Sequence, residues 1–423
     1  MKRLVLAAAA LCCSLAAGAQ SFSLNSEKGI YAKGERVVVT LEGVSASATL
    51  NFHLNSLPEP FASIKVEPSD GVQTVLDTTY NECLSIRLAL VPEGGKNPLC
   101  EQGFIVAPEE CTTGYTAPKD MLRWWKKQIK AMRAEPSYVR VVPVPSPREY
   151  LSMFEVEIGG PDGIPVSGYM AYPTNADPAS LPAIVYCHAA GDNHWTSATR
   201  ELTARYAGRG DGCLVLDFNA HGMDNEREDE DYYTPLYRTT LKGYAERKPV
   251  SRDTYYFKNM VLRAQKAVDF ICSNRLWDGN HLIVTGTSQG GYQSAFLAAL
   301  DPRVSAACVE VPAGLDQGGP LQGRRGAWPQ QVERYGREVC DPVLPYFDPA
   351  LILKYSKAEF WCEIGLFDQA CPPRCVFAAM NQLTTPVQII TSQRTHWRNK
   401  ATPEWNRMVD MSRDVFFERK LKD

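Results

Sequence analysis

Three residues in the second half of the chain have the types and the order that acyl transfer needs: Ser288, Asp368 and His396. Ser288 sits in "LIVTGTSQGGYQ", a Gly286-x-Ser288-x-Gly290 pattern. A serine hydroxyl is a weak nucleophile until a base takes its proton. After Ser288 the chain contains one histidine, His396, in "IITSQRTHW". Between them Asp368, in "WCEIGLFDQACPP", follows an apolar run and precedes a Pro-Pro turn. In this order His396 would accept the Ser288 proton as Oγ attacks an ester carbonyl, then protonate the leaving alcohol. Asp368 would hold the imidazole tautomer and stabilise the imidazolium. Asp341 and Asp348 are rival acids. They lie in a Pro-rich stretch with no strand before it and read as turn residues.

A Gly-x-Ser-x-Gly pattern alone is weak, since a glycine turn with a serine cap reads the same. Its setting is more specific. "LIVT" reads as a strand, and Tyr292, Ala295, Phe296, Ala299 and Leu300 follow at helical spacing. A nucleophile elbow needs this strand–turn–helix context. Side chains at 286 and 290 would clash in so tight a turn. The Gln289 N–H, at the start of the helix, is free to bind an oxyanion. A second donor is expected from the loop after "AIVYC", in "HAAGDNHW", from the backbone near Ala189 or Ala190. His188 reads as a hydrogen-bonding brace of that loop rather than as a base.

The elements that must position these residues follow from apolar periodicity. From about residue 150, apolar runs recur in "FEVEI", "SGYMAY", "PAIVYC", "CLVLDF", "HLIVTG", "SAACVEV", "EFWCEIG" and "VQIIT". Helical patterns separate most of the later ones. One covers 256–272, with Phe257, Met260, Val261, Ala264, Ala267, Val268 and Ile271 on one face and Asp253 as its expected cap. Strand–helix alternation with continuous apolar strands predicts a mostly parallel α/β sheet. Residues 118–134 predict an amphipathic helix with Leu122, Trp125, Ile129 and Met132 on one face. Residues 21 to about 108 alternate with period two, as in Val37, Val39 and Leu41, and predict a small β-sandwich. His53 there reads as a solvent-side strand residue.

The expected organisation is a signal peptide over 1–19, an immunoglobulin-like β-sandwich over 20–110, and an α/β-hydrolase domain over 111–423 with a helical insert at about 314–345. The leader has a basic start at Lys2 and Arg3, an apolar run and a small-residue site at Ala17-Gly18-Ala19. Leu11 and Cys12 are not the small residues that precede a lipidated cysteine, so the expected product is a soluble exported protein, periplasmic or secreted. Without Lys2 and Arg3, 43 basic residues face 48 acidic ones, a net charge of −5. That excludes a basic footprint for nucleic acid. No stretch after the leader is long and apolar enough to span a bilayer. The 11 cysteines after the leader are odd in number, so at least one thiol is unpaired. Cys187, Cys213, Cys308 and Cys362 lie in apolar runs and read as small buried hydrophobes. The absence of paired C-x-x-C spacing argues against structural zinc. No metal and no cofactor is implied, because nucleophile, base and oxyanion donors all come from the chain. The acidic "NEREDEDYY" over 225–233 reads as a solvated loop rather than a calcium site.

From about 115 to 420 the chain resembles the acetyl xylan esterase / cephalosporin C deacetylase family of α/β-hydrolases, carbohydrate esterase family seven. "TGTSQGGYQ" matches that family's Gly-Gly-Ser-Gln-Gly-Gly elbow. "YFDP" and above all "GLFDQACPPRCVFAAMNQL" resemble its acid loop and the helix after it. "LDFNAHG" stands where many members have Asp-x-Arg-Gly-x-Gly. The resemblance implies Ser288, Asp368 and His396 as the triad and the backbone N–H groups of Gln289 and Ala190 as the oxyanion hole. It also implies deacetylation of small sugars and a tendency to form homo-oligomers. The front β-domain resembles one carried by some exported bacterial members. The chain departs from the pattern at His188-Ala189-Ala190, where His-Gly-aromatic is usual, and at "RTHWR", where Gly-His-Glu is usual.

His194, Trp195, Arg324, Arg325, Trp328 and Trp397 are the expected substrate-side residues, since aromatics in loops above a sheet can stack on a sugar. His221 reads as a structural strand-end residue. Three functions are weighed. The first is a serine esterase that removes short acyl groups, acetyl foremost, from an acylated carbohydrate or oligosaccharide. The second is a peptidase or lipase-like hydrolase of the same fold; Arg324 and Arg325 are ill suited to a lipase lid. The third is a non-catalytic carbohydrate-binding protein, which has no use for Ser, Asp and His in order.

Overall fold

The computed structural model describes residues 20–191, 196–227, 230–239, 241–398 and 402–422. The expected signal peptide, and the expected substrate residues His194 and Trp195, lie outside the described residues.

Eight strands form the front of the chain: β1 (Ser21–Leu24), β2 (Ile30–Tyr31), β3 (Arg36–Glu42), β4 (Ala48–Leu54), β5 (Ala62–Val66), β6 (Gln73–Thr79), β7 (Leu84–Pro92) and β8 (Cys100–Val106). They make one sheet in the order β1-β3-β6 and a second in the order β2-β8-β7-β4-β5. Alternation dictates the packing. Val37, Val39 and Leu41 point inward from one sheet and Leu50, Leu88 and Phe104 from the other, into one shared core. His53 departs from expectation. It is buried, with Nδ1 3.3 Å from Leu57 O. The loop after β4 turns inward against the rest of the molecule, so this end of the strand has no solvent side.

Helix α1 (Met121–Ala134) crosses to the second half and buries Trp125, Ile129 and Met132, with Trp124 and Met121 added to the expected face. The main sheet comprises β9 (Val139–Pro143), β10 (Leu151–Ile158), β11 (Val166–Pro173), β12 (Leu181–Cys187), β13 (Leu214–Phe218), β14 (Trp277–Thr287), β15 (Ala306–Glu310), β16 (Glu359–Gly365) and β17 (Val387–Ser392). Its order is β17-β16-β15-β14-β12-β13-β11-β10-β9. From β17 to β13 the pairings are parallel, and β11, β10 and β9 extend the sheet antiparallel. This is the α/β-hydrolase architecture. The helices are α2 (Arg200–Ala207), α3 (Glu230–Arg238), α4 (Tyr256–Cys272), α5 (Gln289–Leu300), α6 (Gln331–Tyr335), α7 (Arg337–Cys340), α8 (Pro373–Met380) and α9 (Pro403–Lys420).

The order in which strands are added reverses at β12: β13 lies on one side of it and β14 on the other, both parallel to it. In open α/β sheets the crevice beyond the carboxyl ends of the strands at such a switch point is where ligands bind. Asp253 does not cap α4; Tyr255 stands at the cap and makes no side-chain bond there. The insert at 314–345 is mostly turn. It holds two short helices, α6 and α7, a 3-10 turn at Gly319–Gln322 and the start of another at Leu344–Phe347, because glycines and prolines interrupt it. The acidic stretch at 225–233 is partly helical, since α3 begins at Glu230; residues 228 and 229 lie outside the described residues. Cys187, Cys213, Cys308 and Cys362 are buried among apolar strand residues.

Candidate active site

Strand β14 runs into the elbow and α5 leaves it. Ser288 holds the turn at φ 56° and ψ −116°, a left-handed backbone rare for a residue with a side chain. Packing maintains that strain. The Ser288 N–H donates to Glu310 O at 2.9 Å, and Ser288 O accepts from Ala313 N at 2.9 Å. The glycines on either side have a steric cause. A Cβ at Gly286 would stand 2.3 Å from Cys187 O, and one at Gly290 2.0 Å from the same oxygen. The end of β12 therefore lies directly on the elbow, which brings the His188–Ala190 loop beside the first turn of α5.

Ser288 Oγ lies 2.9 Å from His396 Nε2, and His396 Nδ1 lies 2.8 Å from Asp368 Oδ2. Asp368 follows the end of β16 and His396 the end of β17, so both come from the carboxyl edge of the sheet. Asp368 is fully buried, and its other oxygen, Oδ1, accepts from the backbone N–H groups of Ala370 at 2.8 Å and Cys371 at 2.9 Å. Those bonds leave Oδ2 aimed at the imidazole. The rival acids have other partners. Asp341 accepts from Tyr115 OH at 2.9 Å and pairs with Arg337, and Asp348 accepts from the N–H groups of Asp316 and Gln317.

The oxyanion side is braced by buried polar groups. His188 Nε2 bonds Asp217 Oδ1. Asp217 Oδ2 accepts from Thr199 N at 3.2 Å, which anchors the start of α2 as well. The Gln289 side chain is held behind the elbow by Tyr244 OH at 2.7 Å and abuts His221. Burial lowers His221 to about 3, so it stands neutral in that wall and bonds Tyr256 OH through Nδ1 at 2.7 Å. Gln289 is the first residue of α5, so its N–H has no acceptor within the helix.

Sequence reasoning missed the brace of the base loop. Arg394 is buried and its Nη1 reaches Glu363 Oε2 at 3.2 Å, while its Nη2 donates to the carbonyl of His396 at 2.7 Å. Glu363 also accepts from Ser392 Oγ at 2.8 Å. Burial raises the Glu363 carboxyl above the usual range, and Arg394 opposes that shift. Replacing Arg394 with glutamine removes one partner of a buried pair, a loss of about 3–5 kcal/mol. The sign with pH follows from Glu363. A carboxyl whose folded value lies above its unfolded value favours folding in its protonated form, so that contribution is present in acid and lost as pH rises. The expected result for Arg394→Gln is a melting temperature well below wild type at pH 8, with the gap narrowing towards pH 5.

The front sandwich packs against the loops that carry Asp368 and His396. Gln393, beside the base loop, accepts from Gly103 N at 3.0 Å and donates to Gly103 O at 2.9 Å. Ser56 Oγ lies 3.5 Å from Asp368 O, and Thr391 Oγ1 donates to Lys28 O at 2.7 Å. A cleft of about 1110 Å³ opens between the sandwich and these loops, with His396 and Trp397 on its wall. Trp397 is 70 % exposed and meets the His396 ring edge-on. Trp328 is half-buried with its ring against Phe257, and its backbone N–H donates to Ala370 O in the loop after Asp368 at 2.7 Å. Arg324 departs from expectation. It is buried, ion-paired to Asp316 and bonded to Thr112 O, so its guanidinium is committed inside the protein and is not a substrate contact. Among the described residues, Asp368, Cys371 and His396 are the one group of metal-ligand types brought together. Asp368 and His396 are engaged with each other, and burial raises the Cys371 thiol well above its usual value, which disfavours the metal-binding thiolate.

The model of the acetyl xylan esterase family, AXE1, matches residues 110–316 and 333–404. The acetyl esterase Axe7A of Xylanibacter ruminicola is 25% identical over 401 residues, covering 92% of this chain and 89% of that protein. The acetyl xylan esterase of Paenibacillus sp. R4 superposes with a TM-score of 0.61 at 24% identity, over 73% of this chain and 98% of its own. Acetyl xylan esterase 1 of Thermoanaerobacterium sp. JW/SL YS485 does so with a TM-score of 0.59 at 21% identity, over the same shares of 73% and 98%. No helix of the described residues is long and apolar enough to cross a membrane. With a family match over most of its length and an α/β-hydrolase sheet to support it, the chain is an esterase and belongs to the acetyl xylan esterase family.

Proposed function

We propose that this protein is an exported serine esterase that removes short acyl groups, acetyl foremost, from sugar hydroxyls on fragments of plant-type polysaccharide. The observation that carries the reading is the continuous hydrogen-bond chain Ser288–His396–Asp368 at a strained elbow. His396 Nε2 takes the proton of Ser288 Oγ as the oxygen attacks the ester carbonyl. The developing oxyanion is met by the N–H groups of Gln289 and Ala190, each such donor contributing about 3–4 kcal/mol in the transition state. His396 then protonates the sugar oxygen, which leaves. Asp368 stays ionised and stabilises the imidazolium throughout. Water repeats the sequence on the acyl-enzyme and releases the acid. Trp397, exposed beside His396, offers a face for the sugar ring, and Trp328 stands next to the acid loop. The basic start, apolar run and small-residue site of the first 19 residues support export.

The test is acetate release by residues 20–423 from acetylated xylo-oligosaccharide, p-nitrophenyl acetate, p-nitrophenyl octanoate and a peptide p-nitroanilide. The expected result is acetate from the sugar and from the short activated ester, little turnover of the octanoate and none of the anilide. Turnover of the anilide or octanoate without acetate from any sugar would replace this reading with a peptidase or lipase-like one.

A further inference from the structure

The two walls of the cleft that reach beyond His396 come from parts of the chain outside the matched family segments. One is the sandwich, through Phe22, Glu101 and Gln102. The other is the insert, through Arg325, which falls between residues 316 and 333. At about 1110 Å³ the cleft exceeds the roughly 300–1,000 Å³ of sites for single small molecules. It therefore has room for a chain of sugars running from His396 along the sandwich.

Where the insert meets the sandwich, two arginines, Arg87 and Arg325, stand near one carboxylate, Glu101. Arg87 and Glu101 pair at 2.7 Å. Arg325 stands near enough to oppose the charge of Arg87. Yet among the described residues it has no carboxylate partner, and its Nε is buried without an acceptor. Its neighbour Arg324 shows the contrast, since every face of that guanidinium is met by Asp316, Gln322 or Thr112. The part of the Arg325 side chain that lines the cleft meets no carboxylate among the described residues, and a ligand's carboxylate suits a guanidinium through two parallel hydrogen bonds. A neutral acetyl ester has no need of such a group, so the anion must belong to the sugar chain.

We propose that Arg325 binds the carboxylate of a uronic acid unit, and that the preferred substrate is an acetylated acidic oligosaccharide laid between the insert and the sandwich. This rests on the esterase reading above and deepens it. Glu27, exposed at the cleft rim, is placed to disfavour a second acidic unit there.

The test compares kcat/KM for acetate release from two acetylated xylo-oligosaccharides, one neutral and one bearing a glucuronic acid branch. Wild type is expected to prefer the acidic substrate, with a preference that shrinks between 50 and 500 mM NaCl. Arg325→Gln is expected to lower the acidic-to-neutral ratio by about 10–100-fold, the range for loss of a charged hydrogen bond. Arg325→Lys keeps the charge without the fork and should restore part of the ratio; it also serves if the glutamine variant does not fold. An unchanged ratio in both variants, or an equal fall on both substrates, would overturn the proposal and leave the esterase reading standing. No acetate from either sugar by wild type, with p-nitrophenyl acetate still cleaved, would instead overturn the sugar-ester reading itself.

Discussion

Ser288→Ala is expected to lower kcat for p-nitrophenyl acetate by about 10⁶-fold, the scale of losing the nucleophile of a triad. The fold survives the change. The Ser288 side chain accepts no capping hydrogen bond from α5, and the contacts that hold the turn are made by its backbone N–H and C=O. Alanine keeps both. A methyl group also fits where the Cβ of serine already sits. The melting temperature should therefore stay within a few degrees of wild type while the rate collapses to the residual catalysis of the oxyanion donors. Circular dichroism and steady-state kinetics on the same preparation check both halves. Equal rates for variant and wild type would remove Ser288 from the mechanism.

The second large effect is on the acid. Asp368→Asn is expected to lower kcat by about 10⁴-fold. Asparagine keeps the size and can keep the Oδ1 bonds to Ala370 and Cys371. In that pose its amide nitrogen faces His396 Nδ1. The imidazole then turns to the wrong tautomer, with its proton on Nε2 and no lone pair there to accept the proton of serine. Asp341→Asn is the control, because that carboxylate faces Tyr115 and Arg337 rather than the imidazole. It should leave kcat within about tenfold of wild type, as for a surface change away from the chemistry. If Asp341→Asn were the worse lesion, the acid would be misassigned. A loss that vanishes at high pH in Asp368→Asn would also contradict the tautomer account.

Much of this arrangement was legible because it is local. Strands β12, β14, β16 and β17 are short apolar runs with a polar residue just beyond, and the order Ser288, Asp368, His396 needs no long-range information. The strain at Ser288 and the clashes that exclude Cβ atoms at Gly286 and Gly290 have a sequence signature in the glycines themselves. What escaped are the contacts between distant segments. Arg394 reads as one more charge in a loop, and only the fold sets it against Glu363 and beneath the carbonyl of His396. His53 reads as solvent-facing by alternation, and the inward turn of the loop after β4 hides it. Arg324 and Arg325 are neighbours of identical type. One is buried on Asp316 and the other lines the cleft, a difference no spacing rule carries. The insert misled for a chemical reason. Its charged and amide residues suit a helix, but its glycines and prolines break each helix after a turn.

In the proposed mechanism hydrolysis passes through a covalent acyl-enzyme on Ser288. The most direct measurement is reaction with an alkyl fluorophosphonate followed by peptide mass mapping. The expected result is one adduct per chain, on the peptide that carries Ser288, formed far more slowly in His396→Ala and absent from Ser288→Ala. An adduct on another residue, or activity that survives full labelling, would contradict it.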